Sequence, residues 1–438
     1  MSPITIGIIA VIIFFILLCL RVPIAVAMGL VGVTGFAVMT SLNAAYQMVV
    51  TEIYSTFSSY TLSVIPMFVW MGFLAYYSGI GAGLYDLAYK MMGHLPGGLA
   101  IATQGTCALF GAICGSNTAT AATIGAIALP EMRKYKYNDS LSTASVAAGG
   151  ALGVLIPPSV IFIVYGIATE QSIGRLFVAG ILPGLLLTAI YMITIYFLTV
   201  RHPELGPPGA KSSWKERIAA LRGGLIEVLV VFTISLSGLF AGWFTPTEAG
   251  AIGAAGVLVI ALLEKRMTWD KFFKSLADTT RTSAMIMLLV AAAVIFSRFI
   301  AVSRLPFAMA SWAGSLTLPP FLVMIIILAI YFILGCFIDA LAMILLTIPI
   351  FYPVVVDILG YDPIWFGVIS VLVVAMGVIT PPVGMNVFII KGVAKDIPLE
   401  TIFKGIWPFV IALTVCILLI IIFPEIATFL PSLMHGKG

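Results

Sequence analysis

The chain has 438 residues, 61% of them hydrophobic and 9% charged, with a net charge of +4 and a mean hydropathy of +1.17. Soluble domains carry about 25% charged residues, so this composition excludes a soluble protein and marks a polytopic membrane chain. The basic residues fall in short loops with no basic patch, which excludes a nucleic-acid partner, and the apolar runs lack the alternation of a membrane barrel.

Residues 3–20 form the first apolar segment. No positive residue precedes it, Arg21 follows it and no cleavage site is apparent, so it is expected to be a retained helix rather than a secretory leader. The positive-inside bias puts Arg21 in the cytoplasm and the N-terminus outside. Segment 24–42 returns outward, and the stretch 43–60, with Glu52 and no Lys or Arg, reads as a periplasmic loop. Segment 62–80 runs inward to a surface helix over 81–95, where Leu84, Leu87, Ala88 and Met91 share a face opposite Asp86 and Lys90.

Residues 96–114 and 117–132 are each short for a tilted span, are separated by Gly115-Ser-Asn-Thr118 and are followed by Arg133, Lys134 and Lys136. This predicts a re-entrant hairpin over 96–132, open to the cytoplasm. Segment 140–172 is too long for one span and is interrupted at Ile156-Pro-Pro-Ser159, where proline removes donors and clashes with the preceding turn. Segment 176–200 comes back to the cytoplasm. The region 201–224, with Pro203, Pro207, Pro208, Lys211, Lys215, Arg217 and Arg222, is the clearest boundary and reads as a cytoplasmic linker, with Trp214 as an interfacial anchor.

The second half follows the first in register. Segment 225–243 runs outward, and Thr245-Pro-Thr-Glu248 is a capping box opening segment 246–263. Lys265, Arg266, Lys271, Lys274 and Arg281 are assigned to the cytoplasmic side, and segment 282–303 ends with Arg298 and Arg304 reaching the outer interface. A surface stretch 305–318, a second hairpin over 320–355, a second broken helix 363–394 interrupted at Thr380-Pro-Pro-Val-Gly384 and a helix 402–423 complete the repeat. Residues 425–438 are left as a periplasmic tail. Trp243, Trp312, Trp365 and Trp407 fall near segment ends, as interface anchors do, and the five cysteines are expected as buried thiols.

Seven Gly or Pro pairs share one offset of 224 residues: Gly29/Gly253, Gly32/Gly256, Pro96/Pro320, Gly111/Gly335, Gly153/Gly377, Pro157/Pro381 and Pro158/Pro382. They define a first repeat over 1–200 and a second over 225–424. Basic residues flank the first hairpin whereas Asp357 and Asp362 flank the second, so the open ends lie on opposite sides and the repeats are inverted. The fold class is therefore all-α and polytopic, with inverted-topology repeats that each contain a re-entrant hairpin and a broken membrane helix.

Irregular backbone at membrane depth is tolerated where it lines a cavity, and half-helix N-termini there attract anions while freed carbonyls bind cations. In the first half Ser116, Asn117 and Thr118 pair with Gly153, Pro157 and Ser159, whose oxygens and freed carbonyls are hard ligands for an alkali cation. In the second half Asp339 pairs with Thr380, Gly384, Met385 and Asn386. An unpaired carboxylate at bilayer centre costs on the order of 3 kcal/mol, so Asp339 needs a partner, and a cation is preferred to a protonated carboxyl or to a helix cap near the bilayer surface. Enzymatic chemistry lacks support: His94, His202 and His435 lie in predicted loops, and neither a His-Glu-x-x-His motif nor a phosphate loop is present.

The run from Gly111 to Pro130, Leu155-Ile-Pro-Pro-Ser159, Gly335-Cys-Phe-Ile-Asp339 with Pro349, and Ile379-Thr-Pro-Pro-Val-Gly-Met-Asn386 together resemble the large membrane subunit of tripartite ATP-independent periplasmic (TRAP) transporters over essentially the whole chain. The resemblance implies a sodium-coupled elevator carrier of a bacterial inner membrane, in which a domain of hairpins and broken helices slides against scaffold segments such as 3–42 and 225–263. It implies one sodium at Ser116, Asn117, Gly153 and Pro157 and another at Asp339, Thr380, Gly384 and Met385; Thr118, Ser159 and Asn386 are expected to hold the substrate. No cofactor beyond the coupling ion is implied. The expected partners are a small four-helix membrane subunit, as a separate chain, and a periplasmic solute-binding protein that delivers a carboxylate-bearing solute, with both termini of this chain periplasmic. The alternatives are a divalent-anion/sodium symporter, which would want Ser-Asn-Thr at both tips where Ile338-Asp-Ala340 stands at the second, and a channel or intramembrane enzyme.

Overall fold

A computed structural model describes residues 2–221, 225–315 and 318–434. The described residues form helices and no strand. Among the described residues six helices are long and apolar enough to cross a bilayer, or seven if Asp139–Leu155 and Val160–Ala168, bent by 41° at their break, make one span.

The order of elements before the linker recurs after it. Helices Pro3–Cys19 and Ile24–Met39 are matched by Leu225–Phe240 and Pro246–Leu263, and Val64–Ser78 by the C-terminal part of Trp269–Val302. Ile80–Met92 matches Leu305–Ser315. The hairpin arms Gly98–Cys114 and Asn117–Lys134 match Pro320–Gly335 and Ala340–Tyr352, and the broken helices and closing helices follow in the same order.

Packing follows that correspondence. Ile24–Met39 lies on Trp269–Val302, and Pro246–Leu263 lies on Val64–Ser78. The half-helix Val160–Ala168 packs on the second hairpin arm Ala340–Tyr352, as Met385–Val393 packs on Asn117–Lys134. Asp139–Gly150 contacts Leu399–Ile422, and Pro363–Gly377 contacts Ile173–Arg201. Each contact recurs with the halves exchanged. Small residues make the approach close: a Cβ on Gly32 would stand 2.9 Å from the Phe296 Cα, and one on Gly253 would stand 2.4 Å from the Met71 Sδ.

Several expectations need correction. The 43–60 stretch is not a loop but a helix, Leu42–Ser58, capped by Ser41. Its membership was hidden because Glu52, which argues for water, is buried beside Arg298: the Arg298 Nε donates to Glu52 Oε1 at 2.7 Å. Arg298 therefore holds a partner on a neighbouring helix instead of only reaching for the interface. The helix expected from 282 begins at Trp269, so Lys271, Lys274 and Arg281 lie on it, with Lys274 paired to Asp270 one turn away. Residues 425–433 are a helix, Glu425–Leu433, docked on Ile173–Arg201 rather than a bare tail, and His435 lies outside the described residues. Trp365 is buried, donating from Nε1 to the Ile420 carbonyl and stacked on Tyr361, whereas Trp243, Trp312 and Trp407 are exposed. Cys19 is exposed, and the other four cysteines are buried free thiols.

The capping box stands as expected, with Thr245 and Glu248 closing on each other's backbone. Part of the linker is tied down: Gly97 donates to the Gly206 carbonyl, Asn138 to that of Leu205, and Gly209 to that of Gly93, so the linker clasps the open end of the first hairpin.

Candidate functional site

Three of the hairpin arms are 16 to 18 residues long, and the fourth, Ala340–Tyr352, continues through Pro353–Ile358 to 19 residues. At 1.5 Å per residue, an arm of about 17 residues spans roughly 25 Å, less than the approximately 30 Å hydrocarbon core. The arms turn back on themselves at two tips. At the first, Gly115 takes φ 63° and closes the helix Gly98–Cys114, and Ser116 caps the next one by accepting from the Ala119 amide at 3.4 Å. Only glycine fits at 115, because a Cβ there would come 2.5 Å from the Pro158 carbonyl oxygen. At the second tip Asp339 caps Ala340–Tyr352, its Oδ2 accepting from the Leu341 amide at 3.1 Å.

The hairpins lie against the broken helices through paired glycines. A Cβ on Gly111 would come 2.8 Å from the Gly153 Cα, and one on Gly377 would come 2.4 Å from the Gly335 carbonyl carbon. The breaks themselves are open backbone: Ile156 is extended before the cis Pro157–Pro158 bond, and Gly384 with φ 59° precedes Met385–Val393 beyond the cis Pro381–Pro382 bond.

Both tips reach one cavity of 420 Å³. Ser116, Asn117, Thr118 and Ala119 line it from the first hairpin, and Asp339, Ala340 and Leu341 from the second. Val160 and Ile161 join from the half-helix after the Pro–Pro break. The helices beginning at Asn117, Val160 and Ala340 therefore all present their N-terminal ends to the same space. Unpaired amides and the positive dipole ends favour an anion there. The opposite wall comes from Val64–Ser78, with Phe73, Tyr76 and Tyr77, and from Trp269–Val302, with Asp278, Thr282 and Met285. Across that wall the Tyr77 hydroxyl donates to Asp278 Oδ2 at 2.5 Å.

The residues expected at the site divide into two groups. Ser116, Asn117, Thr118 and Asp339 line the cavity, and Gly153 lies beside the Ser116 carbonyl. Pro157 sits in the break behind that tip. The others turn inward. Ser159 is fully buried, its hydroxyl donating to the Val154 carbonyl at 2.5 Å while it caps Val160–Ala168. Thr380 donates to the Met376 carbonyl at 2.6 Å, and Gly384 and Met385 start the following half-helix outside the cavity lining. Asn386 is fully buried, donating to the Ala147 carbonyl at 3.0 Å and accepting from the Asn117 Nδ2 at 3.3 Å. It thus joins the second broken helix to the first hairpin tip.

Tyr77, Asp278 and Thr282 were not marked by the sequence. Asp278 sits among basic residues assigned to a cytoplasmic flank, and nothing in the local pattern showed that the helix starts at 269 and carries it to the cavity.

Comparison with known proteins decides what this arrangement belongs to. A model of the family described as "Tripartite ATP-independent periplasmic transporter, DctM component" matches residues 11–426. The chain belongs to that family. Among curated relatives, the "C4-dicarboxylate TRAP transporter large permease protein DctM" of Pseudomonas aeruginosa is 36% identical over 87% of this chain and 88% of its own length. The "Sialic acid TRAP transporter large permease protein SiaM" of Vibrio cholerae is 32% identical over 91% of this chain and 92% of its own. The "Isethionate TRAP transporter permease protein DctMQ" of Oleidesulfovibrio alaskensis is 36% identical over 93% of this chain, which spans 63% of that longer protein. In fold, this DctM component is similar to the YdaH transporter of Alcanivorax borkumensis (TM-score 0.57, 14% identity, 89% of this chain and 88% of that one). It is also similar to MtrF of Neisseria gonorrhoeae (TM-score 0.60, 14% identity, 100% and 96%). As a DctM component it is a multi-pass permease of the inner membrane and a transporter rather than an enzyme.

Proposed function

We propose that this DctM component carries out sodium-coupled uptake of a carboxylate-bearing solute by an elevator movement. The observation that carries the reading is the meeting of both hairpin tips and three helix N-termini on one cavity. The amide-rich ends suit a carboxylate, and the hydroxyl and carbonyl oxygens behind the first tip suit an alkali cation. Relatives whose names specify C4-dicarboxylates, sialic acid and isethionate are all permeases for organic anions, which supports the anionic solute class.

The two halves are proposed to be inverted about an axis in the membrane plane. The exchange of packing partners between halves supports this, as do the Arg133, Lys134 and Lys136 flank of the first hairpin and the Asp357 and Asp362 flank of the second. The hairpins and broken helices would then move as one body against Ile24–Met39, Val64–Ser78, Pro246–Leu263 and Trp269–Val302, with the substrate between body and wall. In that reading one sodium binds at Ser116, Asn117, Gly153 and Pro157, a second at Asp339, Thr380, Gly384 and Met385, and Thr118 faces the substrate. A small four-helix membrane subunit and a periplasmic solute-binding protein complete the transporter, and both termini of this chain face the periplasm.

The test is uptake into proteoliposomes holding this chain and its small subunit, with and without an inward sodium gradient and the binding protein. Uptake that needs both supports the reading, and Asp339→Ala is expected to weaken the sodium dependence. Flux that ignores the sodium gradient overturns the coupling, and unchanged sodium dependence in Asp339→Ala removes that residue from the ion site.

A further inference from the structure

We infer that Thr120 is a cation ligand, contributing its hydroxyl to a small alkali ion held with the Ser116 carbonyl against Gly153; the inference rests on the sodium-coupled reading above. Thr120 is fully buried, and its Oγ1 has no hydrogen-bond partner. An unsatisfied buried hydroxyl costs roughly 1–3 kcal/mol and calls for an explanation; Ser283 and Ser370 also hold unpaired hydroxyls, and Thr120 is singled out by the second oxygen that faces it.

Its setting makes the vacancy of partners specific. Buried helical threonines usually donate to the carbonyl four residues earlier. Thr103 donates to Leu99, Thr106 to Ala102, Thr347 to Met343, and Thr123, three residues further along the same arm, donates to Ala119. Thr120 has the Ser116 carbonyl in that position, and its amide donates to it at 3.1 Å, yet its hydroxyl turns away from the helix ladder toward Gly153. A Cβ built on Gly153 would lie 2.5 Å from Thr120 Oγ1 and 2.7 Å from the Ser116 oxygen. Because each lies within 2.7 Å of that position, the two oxygens are at most about 5.2 Å apart on the same face of Gly153, a separation that one hard cation with oxygen ligands at roughly 2.3–2.6 Å bridges from a point clear of the Gly153 Cα. A carbonyl oxygen has two lone pairs, so the Ser116 oxygen that accepts the Thr120 amide keeps one for an ion. Glycine at 153 lets both oxygens approach its backbone, since a Cβ there would press on each of them. The other neighbour of the hydroxyl is the Cys114 thiol, a weak hydrogen-bonding group that supplies the competing explanation.

The experiment measures the thermal stability of the purified full-length permease as sodium chloride replaces potassium chloride at constant ionic strength, for the wild type and for Thr120→Val, Thr120→Ser and Cys114→Ala. The half-stabilising sodium concentration is expected to rise at least about tenfold in Thr120→Val, to stay within about threefold in Thr120→Ser, and to be unaffected in Cys114→Ala. Stability in potassium alone reports whether each variant is folded. A Thr120→Val protein with the wild-type sodium response overturns the assignment, as does Thr120→Ser matching Thr120→Val, or Cys114→Ala reproducing its effect. A wild type indifferent to sodium overturns the sodium-coupled reading and this assignment together, whereas a sodium-stabilised wild type with an unaffected Thr120→Val overturns this assignment alone.

Discussion

Gly111 lies so close to Gly153 that a Cβ on the first would stand 2.8 Å from the Cα of the second, and 224 residues later Gly335 and Gly377 repeat the contact. Each pair lets a hairpin arm seat its backbone on a broken helix. Gly377→Ala has no flexible neighbour to displace, since its Cβ would meet the Gly335 backbone at 2.4 Å. Overpacking of this kind costs about 1–3 kcal/mol, so Gly377→Ala and Gly111→Val are expected to lower the thermal midpoint of the purified protein, while Gly29→Ala, with nothing within 4 Å, leaves it in place.

Arg298 and Glu52 join Trp269–Val302 to Leu42–Ser58, with Glu52 buried and the arginine largely exposed. Removing the arginine strands a buried carboxylate, whereas removing the glutamate leaves a cation that can reach water. Arg298→Ala is therefore expected to destabilise more than Glu52→Ala, with the double variant recovering part of the loss. Because one partner is exposed, the coupling energy from a thermal double-mutant cycle should be near about 1 kcal/mol.

The Asn117 to Asn386 hydrogen bond ties the first hairpin tip to the second broken helix, and Asn386 passes the link on to the Ala147 carbonyl. Asn386→Leu leaves that carbonyl and the Asn117 amide without partners. A loss of about 1–3 kcal/mol is expected by thermal shift, accompanied by a larger fall in uptake than in stability because the hairpin tip loses its alignment.

Tyr77 and Asp278 place a hydrogen-bonded pair on the wall facing both tips. If solute passes between wall and tips, Tyr77→Phe and Asp278→Asn alter one hydrogen bond to a charged group at that surface. The apparent KM for the transported solute is expected to change about tenfold with expression and thermal midpoint retained. An unchanged KM in both variants would place the solute path elsewhere.

How much of this was legible in one dimension follows from range. Gly115-Ser-Asn-Thr118, the two Pro–Pro breaks and the capping box at Thr245 and Glu248 are local devices, in which a missing amide, a positive φ or a side-chain cap acts within a few residues, so their effect is written where they stand. The shared offset of Gly111 with Gly335 and of Gly153 with Gly377 survived because close backbone contact admits no other residue. Helix Leu42–Ser58 was misread because Glu52 is neutralised by a residue 246 positions away. Asp278 was passed over for the same reason, since its partner Tyr77 comes from the other half of the chain. Which hydroxyls are spent on their own helix, as in Ser159 and Thr380, and which stay free, as in Thr120, depends on rotamer and neighbours. Sequence alone determined that the chain crosses a membrane, breaks its helices in two matched places and turns back at two tips, because hydropathy and backbone chemistry are properties of short segments. Only the tertiary structure decided that the two tips share one cavity and that Asn117 meets Asn386, because those contacts exist only once distant helices pack.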